Sequence, residues 1–269
     1  MRRMKSALRV FIVSLVFAIV FLPCSASADP LDNWHQRTSG TTSGLYGVAY
    51  GNGTFVAVGW ETILSSSDGV TWTDRYTGSG LVGLMFNAIA YGNGTFVAVG
   101  PEGCIATSPD GVTWTDRSIG WGGFSAVAYG GNSFVAVGYN GEIIKSVNNG
   151  EIWTALSSGT ANPLRGVAYC DGVGCEYPTW TAVGDYGTII TSTNDGATWG
   201  PATSAIGYDL DGIAFTGASM GAYYMPRFVA VGEGGMYASD DDGWIHVGCV
   251  HKYPVISQVN YGLQCHLFP

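Results

Sequence analysis

The chain has 269 residues, 46% of them hydrophobic, with 41 glycines and 13% aromatics. Charged residues are only 12%, about half the usual share, which excludes a disordered polar chain and favours short strands and tight turns over helices. The formal net charge is −9.

The first 28 residues read as a signal peptide. Arg2, Arg3, Lys5 and Arg9 form a basic start, Val10 to Leu22 an apolar run, and Ala26-Ser27-Ala28 a cleavage site of small residues. The apolar run is roughly 13 residues, short of the roughly 20 needed to span a bilayer, so no membrane-spanning segment is expected. Cleavage leaves 7 Lys+Arg against 20 Asp+Glu, a net of about −13. Such a surface repels phosphate backbones and argues against nucleic acid as a partner. The expected product is a secreted monomer, periplasmic or extracellular.

One hairpin recurs five times after the leader. Its first strands contain Val48-Ala49-Tyr50, Ile89-Ala90-Tyr91, Val127-Ala128-Tyr129, Val167-Ala168-Tyr169 and Ile213-Ala214-Phe215. Its second strands end at Gly59, Gly100, Gly138, Gly184 and Gly232. Asn52-Gly53 and Asn93-Gly94 supply tight turns between the two. A third strand and a polar turn follow, and a fourth strand starts at Trp72, Trp114, Trp153 or Trp199, spaced 42, 39 and 46 residues apart. Four antiparallel strands in a period of about 40 predict an all-β fold, a β-propeller of about five blades over 29–248, with six as the alternative.

The ends of the repeat carry a further expectation. Trp34-His35-Gln36-Arg37-Thr38 matches the fourth strands at Trp72 and Trp114, and the last repeat has His246 in the tryptophan slot. The N-terminal strand is therefore expected to complete the last blade and close the ring, removing a sheet edge. The tail, 249–269, is read as having no repeat pattern and would cap the domain or add a strand.

The polar turns, such as Ser108-Pro109-Asp110-Gly111-Val112-Thr113-Trp114 and Ser192-Thr193-Asn194-Asp195-Gly196-Ala197-Thr198-Trp199, resemble the Asp-box (BNR) repeat of sialidase-like and photosystem-assembly-factor-like propellers. Counting five residues back from the tryptophan finds Ser67, Pro109, Asn148, Asn194 and Asp241, so the carboxylate is mostly displaced. Asp68, Asp110, Asn149 and Asp195, next to the glycine, and Asp241 are expected to bond the turn amides, while the tryptophans anchor the outer strands. Asp240-Asp241-Asp242 do not converge as calcium ligands, and no metal or cofactor is expected.

Ligands would sit at the mouth opposite these turns. Before the first strands stand Tyr46, Asn87, Ser125, Arg165 and Asp211; after the second strands stand Trp60, Glu102, Tyr139, Asp185, Tyr186 and Glu233. Trp60, Tyr139 and Tyr186 are suited to stack on sugars, and Arg165 to meet an acid group. The resemblance implies sialidase chemistry as one option, which in that family needs three arginines. Arg37, Arg75 and Arg117 share one outer-strand slot, and only Arg165 stands at the mouth. The expected function is a non-enzymatic module that binds a protein or glycan; the alternative is a glycoside hydrolase pairing Asp211 with Glu102 or Glu233. Export favours Cys170–Cys175 and Cys249–Cys265 disulfides and leaves Cys104 free.

Overall fold

The computed structural model describes residues 36–248 apart from 78–79, 82, 173–174, 176, 203–205, 216–227 and 240–243, with 244–248 described as backbone only. Each repeat folds into one four-stranded antiparallel sheet in chain order. The first holds β1 (Leu45–Gly51), β2 (Thr54–Gly59), β3 (Thr62–Ser66) and β4 (Thr73–Asp74); the second β5 (Ala88–Gly92), β6 (Thr95–Val99), β7 (Ile105–Ser108) and β8 (Thr115–Asp116). The third holds β9 (Phe124–Gly130), β10 (Ser133–Gly138), β11 (Ile143–Ser146) and β12 (Thr154–Leu156); the fourth β13 (Leu164–Cys170), β14 (Thr179–Gly184), β15 (Ile189–Ser192) and β16 (Gly200–Pro201). The last holds β17 (Leu210–Phe215), β18 (Phe228–Gly232), β19 (Gly235–Ser239) and β20 (Trp244–Gly248). The first strands pack side by side in the order β1, β5, β9, β13, β17, which makes each sheet one blade of a propeller.

The hairpin turns work as their residues require. Asn52 and Gly53 take φ 48° and 74°, and Asn93 and Gly94 take 46° and 76°, the left-handed pair that matches strand twist. Across each hairpin an aromatic pair locks the register: Tyr50–Phe55, Tyr91–Phe96, Tyr129–Phe134 and Tyr169–Trp180 have ring centroids 4.5 to 4.8 Å apart.

The core lies between blades. Val56, Val58 and Ile63 of the first sheet pack against Ile89, Phe96 and Ala98 of the second, and Val135, Val137 and Ile143 of the third against Val167, Trp180 and Ala182 of the fourth. The middle strands of the second, third and fourth sheets are apolar on both faces because a sheet lies on either side of them. A knob and socket repeats around the arc. A Cβ built on Gly51 would stand 2.1 Å from the Tyr91 ring, one on Gly92 2.0 Å from Tyr129, and one on Gly130 2.2 Å from Tyr169. The glycine that ends each of these first strands is thus the seat for the next blade's tyrosine.

The ends differ from the sequence reading. The last sheet takes its fourth strand from its own repeat, β20, paired to β19 with Ser239 opposite Trp244 and Tyr237 opposite His246. Backbone pairing needs no tryptophan, so the decayed slot at His246 did not cost the blade a strand. The chain divides after Thr38, and every blade lies in the second unit. In the first unit Gln36, Arg37 and Thr38 form no strand, and Trp34 and His35 lie outside the described residues. Cys170 and Cys175 are disulfide-bonded and Cys104 carries a free, buried thiol. Cys249 and Cys265 lie outside the described residues. No helix among the described residues is long and apolar enough to cross a membrane.

Candidate functional site

At one end of the blades lie the polar turns, built to clamp one blade to the next. Ser66 Oγ accepts from the Gly69 amide at 2.9 Å and donates to Asp68, whose Oδ1 accepts from the amides of Val70 and Thr71 at 2.8 Å each. Those two amides, with the Ser66 hydroxyl, lower the Asp68 carboxyl to about 2 although it is exposed. Asp110 repeats the pattern with Ser108, Val112 and Thr113, and its carboxyl is lowered by these bonds against an opposing push from partial burial.

In the third and fourth blades the bonding residue is not the expected one. Asn148 Oδ1 accepts from the Ile152 amide at 3.0 Å and Asn194 Oδ1 from the Thr198 amide at 3.0 Å. Asn149 and Asp195 instead take φ 59° and 58°, and reach other blades: Asn149 accepts from Asn93 Nδ2 at 2.9 Å, and Asp195 pairs with Lys145 at 2.7 Å. The reason is one extra residue between the turn serine and the tryptophan. Counted from Ser66, Ser108, Ser146 and Ser192, the bonding residue is always two further on; counted back from the tryptophan, the register slips. The longer turns also let the Trp153 and Trp199 indoles donate to Gly150 and Gly196 carbonyls at 3.0 Å. Trp114 and Trp199 are buried and Trp72 and Trp153 half-buried; Asp241 lies outside the described residues.

The mouth is at the other end. There the connection before each first strand and the one after each second strand are bonded together: Trp60 N to Gly44 O at 3.0 Å, Tyr139 N to Gly123 O at 2.9 Å, Asp185 N to Pro163 O at 3.0 Å and Glu233 N to Asp209 O at 2.9 Å. This closeness explains the five glycines that end the second strands. A Cβ on Gly59, Gly100, Gly138, Gly184 or Gly232 would stand 1.8 to 2.1 Å from a carbonyl oxygen of the facing connection. The connection then turns sharply, with Glu61, Glu102, Asn140 and Tyr186 at φ 43° to 56°.

A cavity of about 330 Å³ opens among these connections, lined by Asn87, Ser125, Tyr139, Pro163, Arg165, Asp185 and Asp211. Six of the eleven expected mouth residues therefore share one cavity, fed by four successive blades. Tyr46, Trp60, Glu102, Tyr186 and Glu233 do not line it. Tyr46, Trp60 and Tyr186 are 55%, 56% and 72% exposed, so the aromatic wall reduces to Tyr139. Asn87 Nδ2 donates to the Phe124 carbonyl at 2.9 Å and ties the second blade's rim to the third.

Arg165 organises the charge. Its Nε pairs with Asp185, Nη1 with Asp211 at 3.3 Å and Nη2 with Asp209 at 3.6 Å. The hydrogen bond to Asp185, with the fields of the three carboxylates, raises the arginine above its ordinary value against a smaller desolvation. Asp209 was missed in the sequence. It stands two residues before Asp211, just ahead of β17, and its Oδ1 also accepts from the Tyr186 amide at 2.8 Å. The expectation that Arg165 meets an acidic ligand group changes here. Three carboxylates already surround the guanidinium and leave the cluster net negative.

No family model and no curated relative matches the sequence. Solved structures do resemble the fold. "YCF48 bound to D1 peptide" superposes with a TM-score of 0.57 at 19% identity over 77% of this chain and 67% of that one. YCF48 from Cyanidioschyzon merolae gives 0.59 at 16% identity over 80% and 75%. A GH74 enzyme of Niastella koreensis gives 0.55 at 23% identity over 76% of this chain but 31% of its own. At these identities the likeness establishes the propeller fold and no activity.

Proposed function

We propose that this protein is a secreted, non-enzymatic propeller of Asp-box type that binds a protein ligand at the mouth cavity. The observation that carries the reading is the Arg165 cluster: one guanidinium paired with three carboxylates, of which Asp185 and Asp211 line a cavity built from four blades. Such a site suits an extended peptide. Backbone amides find Asn87, Ser125 and the aspartates, and a lysine or arginine side chain meets the excess negative charge. The peptide held by the structurally similar YCF48 makes a protein ligand the natural class. The glycan alternative loses its aromatic platform, since Trp60 and Tyr186 stand outside the cavity. The hydrolase alternative pairs Asp211 with Glu102 or Glu233, and neither glutamate lines the cavity.

The test is fluorescence anisotropy with length-matched pools of Lys/Arg-rich and Asp/Glu-rich peptides. The basic pool binds, more weakly as salt rises, and the Asp209→Asn/Asp211→Asn variant loses that binding. Equal binding of both pools, or of the variant, overturns the site. Turnover of aryl glycosides abolished by Asp211→Asn would instead establish the hydrolase.

A further inference from the structure

Among the described residues, the outer face of the last sheet is open. Val58, Val99, Val137 and Val183, the residues before the strand-end glycines, are each fully buried by the following sheet, whereas Val231 in the same place is 45% exposed. Ala214, on the same face, is exposed as well. The backbone agrees. A Cβ on Gly47 would stand 3.1 Å from Ala88 of the next blade, and one on Gly166 3.3 Å from Gly212. A Cβ on Gly212 meets, among the described residues, only Val231 of its own sheet. The face is apolar, and it repeats the surface on which four earlier blades seat a successor.

The tail carries one element of that successor. Val259-Asn260-Tyr261-Gly262 repeats the first-strand pattern of Val48-Ala49-Tyr50-Gly51, Ile89-Ala90-Tyr91-Gly92 and Val127-Ala128-Tyr129-Gly130. The distance fits too. From each strand-end glycine to the next Val or Ile of the pattern the chain runs 27 to 30 residues (Gly59 to Ile89, Gly100 to Val127, Gly138 to Val167, Gly184 to Ile213), and Gly232 to Val259 is 27. We infer that Val255–Gly262 is the first strand of a sixth blade and seats on the Ala214–Val231 face of the last sheet. Tyr261 takes the place that Tyr91, Tyr129 and Tyr169 hold on earlier sheets.

The test uses the full chain with a photoreactive diazirine analogue of leucine at position 231. Irradiation followed by trypsin should join residue 231 to the peptide 253–269 within one chain. The same analogue at Val70, which is exposed at the opposite end of the blades, should not reach that peptide. Adding Tyr261→Asp should abolish the link from 231. A link between two chains assigns the face to a second copy and overturns the inference, as does no link to 253–269 or a link that survives Tyr261→Asp. None of these readouts depends on a ligand at the mouth.

Discussion

The fourth blade contains a polar atom that its neighbours lack, and this gives a quantitative test of the packing. Thr181 on β14 is fully buried, and its hydroxyl finds no partner among the described residues. The same slot holds Val56, Val97 and Val135 in the first three blades, each fully buried. Thr181→Val keeps the shape and removes the unpaired hydroxyl, whose desolvation costs about 1–3 kcal/mol. The variant should gain about 1–2 kcal/mol, and each kcal/mol should raise the melting temperature by about 2–4 °C in a domain of this size. Val135→Thr makes the reverse change in the third blade and should cost about 1–3 kcal/mol. Thermal and urea unfolding of both variants measure the two signs. An unchanged or lowered midpoint for Thr181→Val would refute the reasoning, because it would mean that the hydroxyl is satisfied in the native state.

Gly92→Ala should destabilise by at least the 1–3 kcal/mol typical of an overpacked core, since its Cβ would enter the Tyr129 ring, whereas Gly94→Ala, with open space around it, should cost only about 1 kcal/mol for its left-handed φ; urea midpoints compare them. Asp68 has its folded carboxyl depressed from the ordinary 3.8 to about 2, so its stabilisation is present above about pH 4 and is lost as pH falls towards 2. Asp68→Asn should therefore flatten the melting temperature against pH in that window, and an unchanged slope would show that the turn amides do not hold the carboxylate in solution. Burial pushes the Cys104 thiol up, so alkylation mapped by mass spectrometry should leave it unmodified in native protein and modify it on unfolding.

The sequence by itself determined the blades. Recurring strand motifs, Asn-Gly turns and Val-Gly ends are local signals, and each maps onto one strand, one turn and one close approach. It also determined the approximate mouth, because residues at a fixed offset from a repeated strand reach the same end of every blade. Asn87, Tyr139, Arg165, Asp185 and Asp211 needed no more than that. The turn register was legible only from the serine side, since a single inserted residue shifts any count that starts at the tryptophan.

Tertiary structure decided the rest. Only packed blades show that Trp60 leaves the cavity while Tyr139, which follows its strand-end glycine in the same way, stays in it; Tyr186 stands one residue further on, in the left-handed place that Asn140 holds. Only packed blades show that Asp209 and Asp185 converge on Arg165 from separate connections and turn an expected acid-binding arginine into the centre of a net negative cluster. Strand-end glycines are visible in any reading of the chain, but that they exist to let a carbonyl oxygen approach within 1.8 to 2.1 Å of a Cβ position is a fact of two connections meeting, which no single stretch of sequence contains.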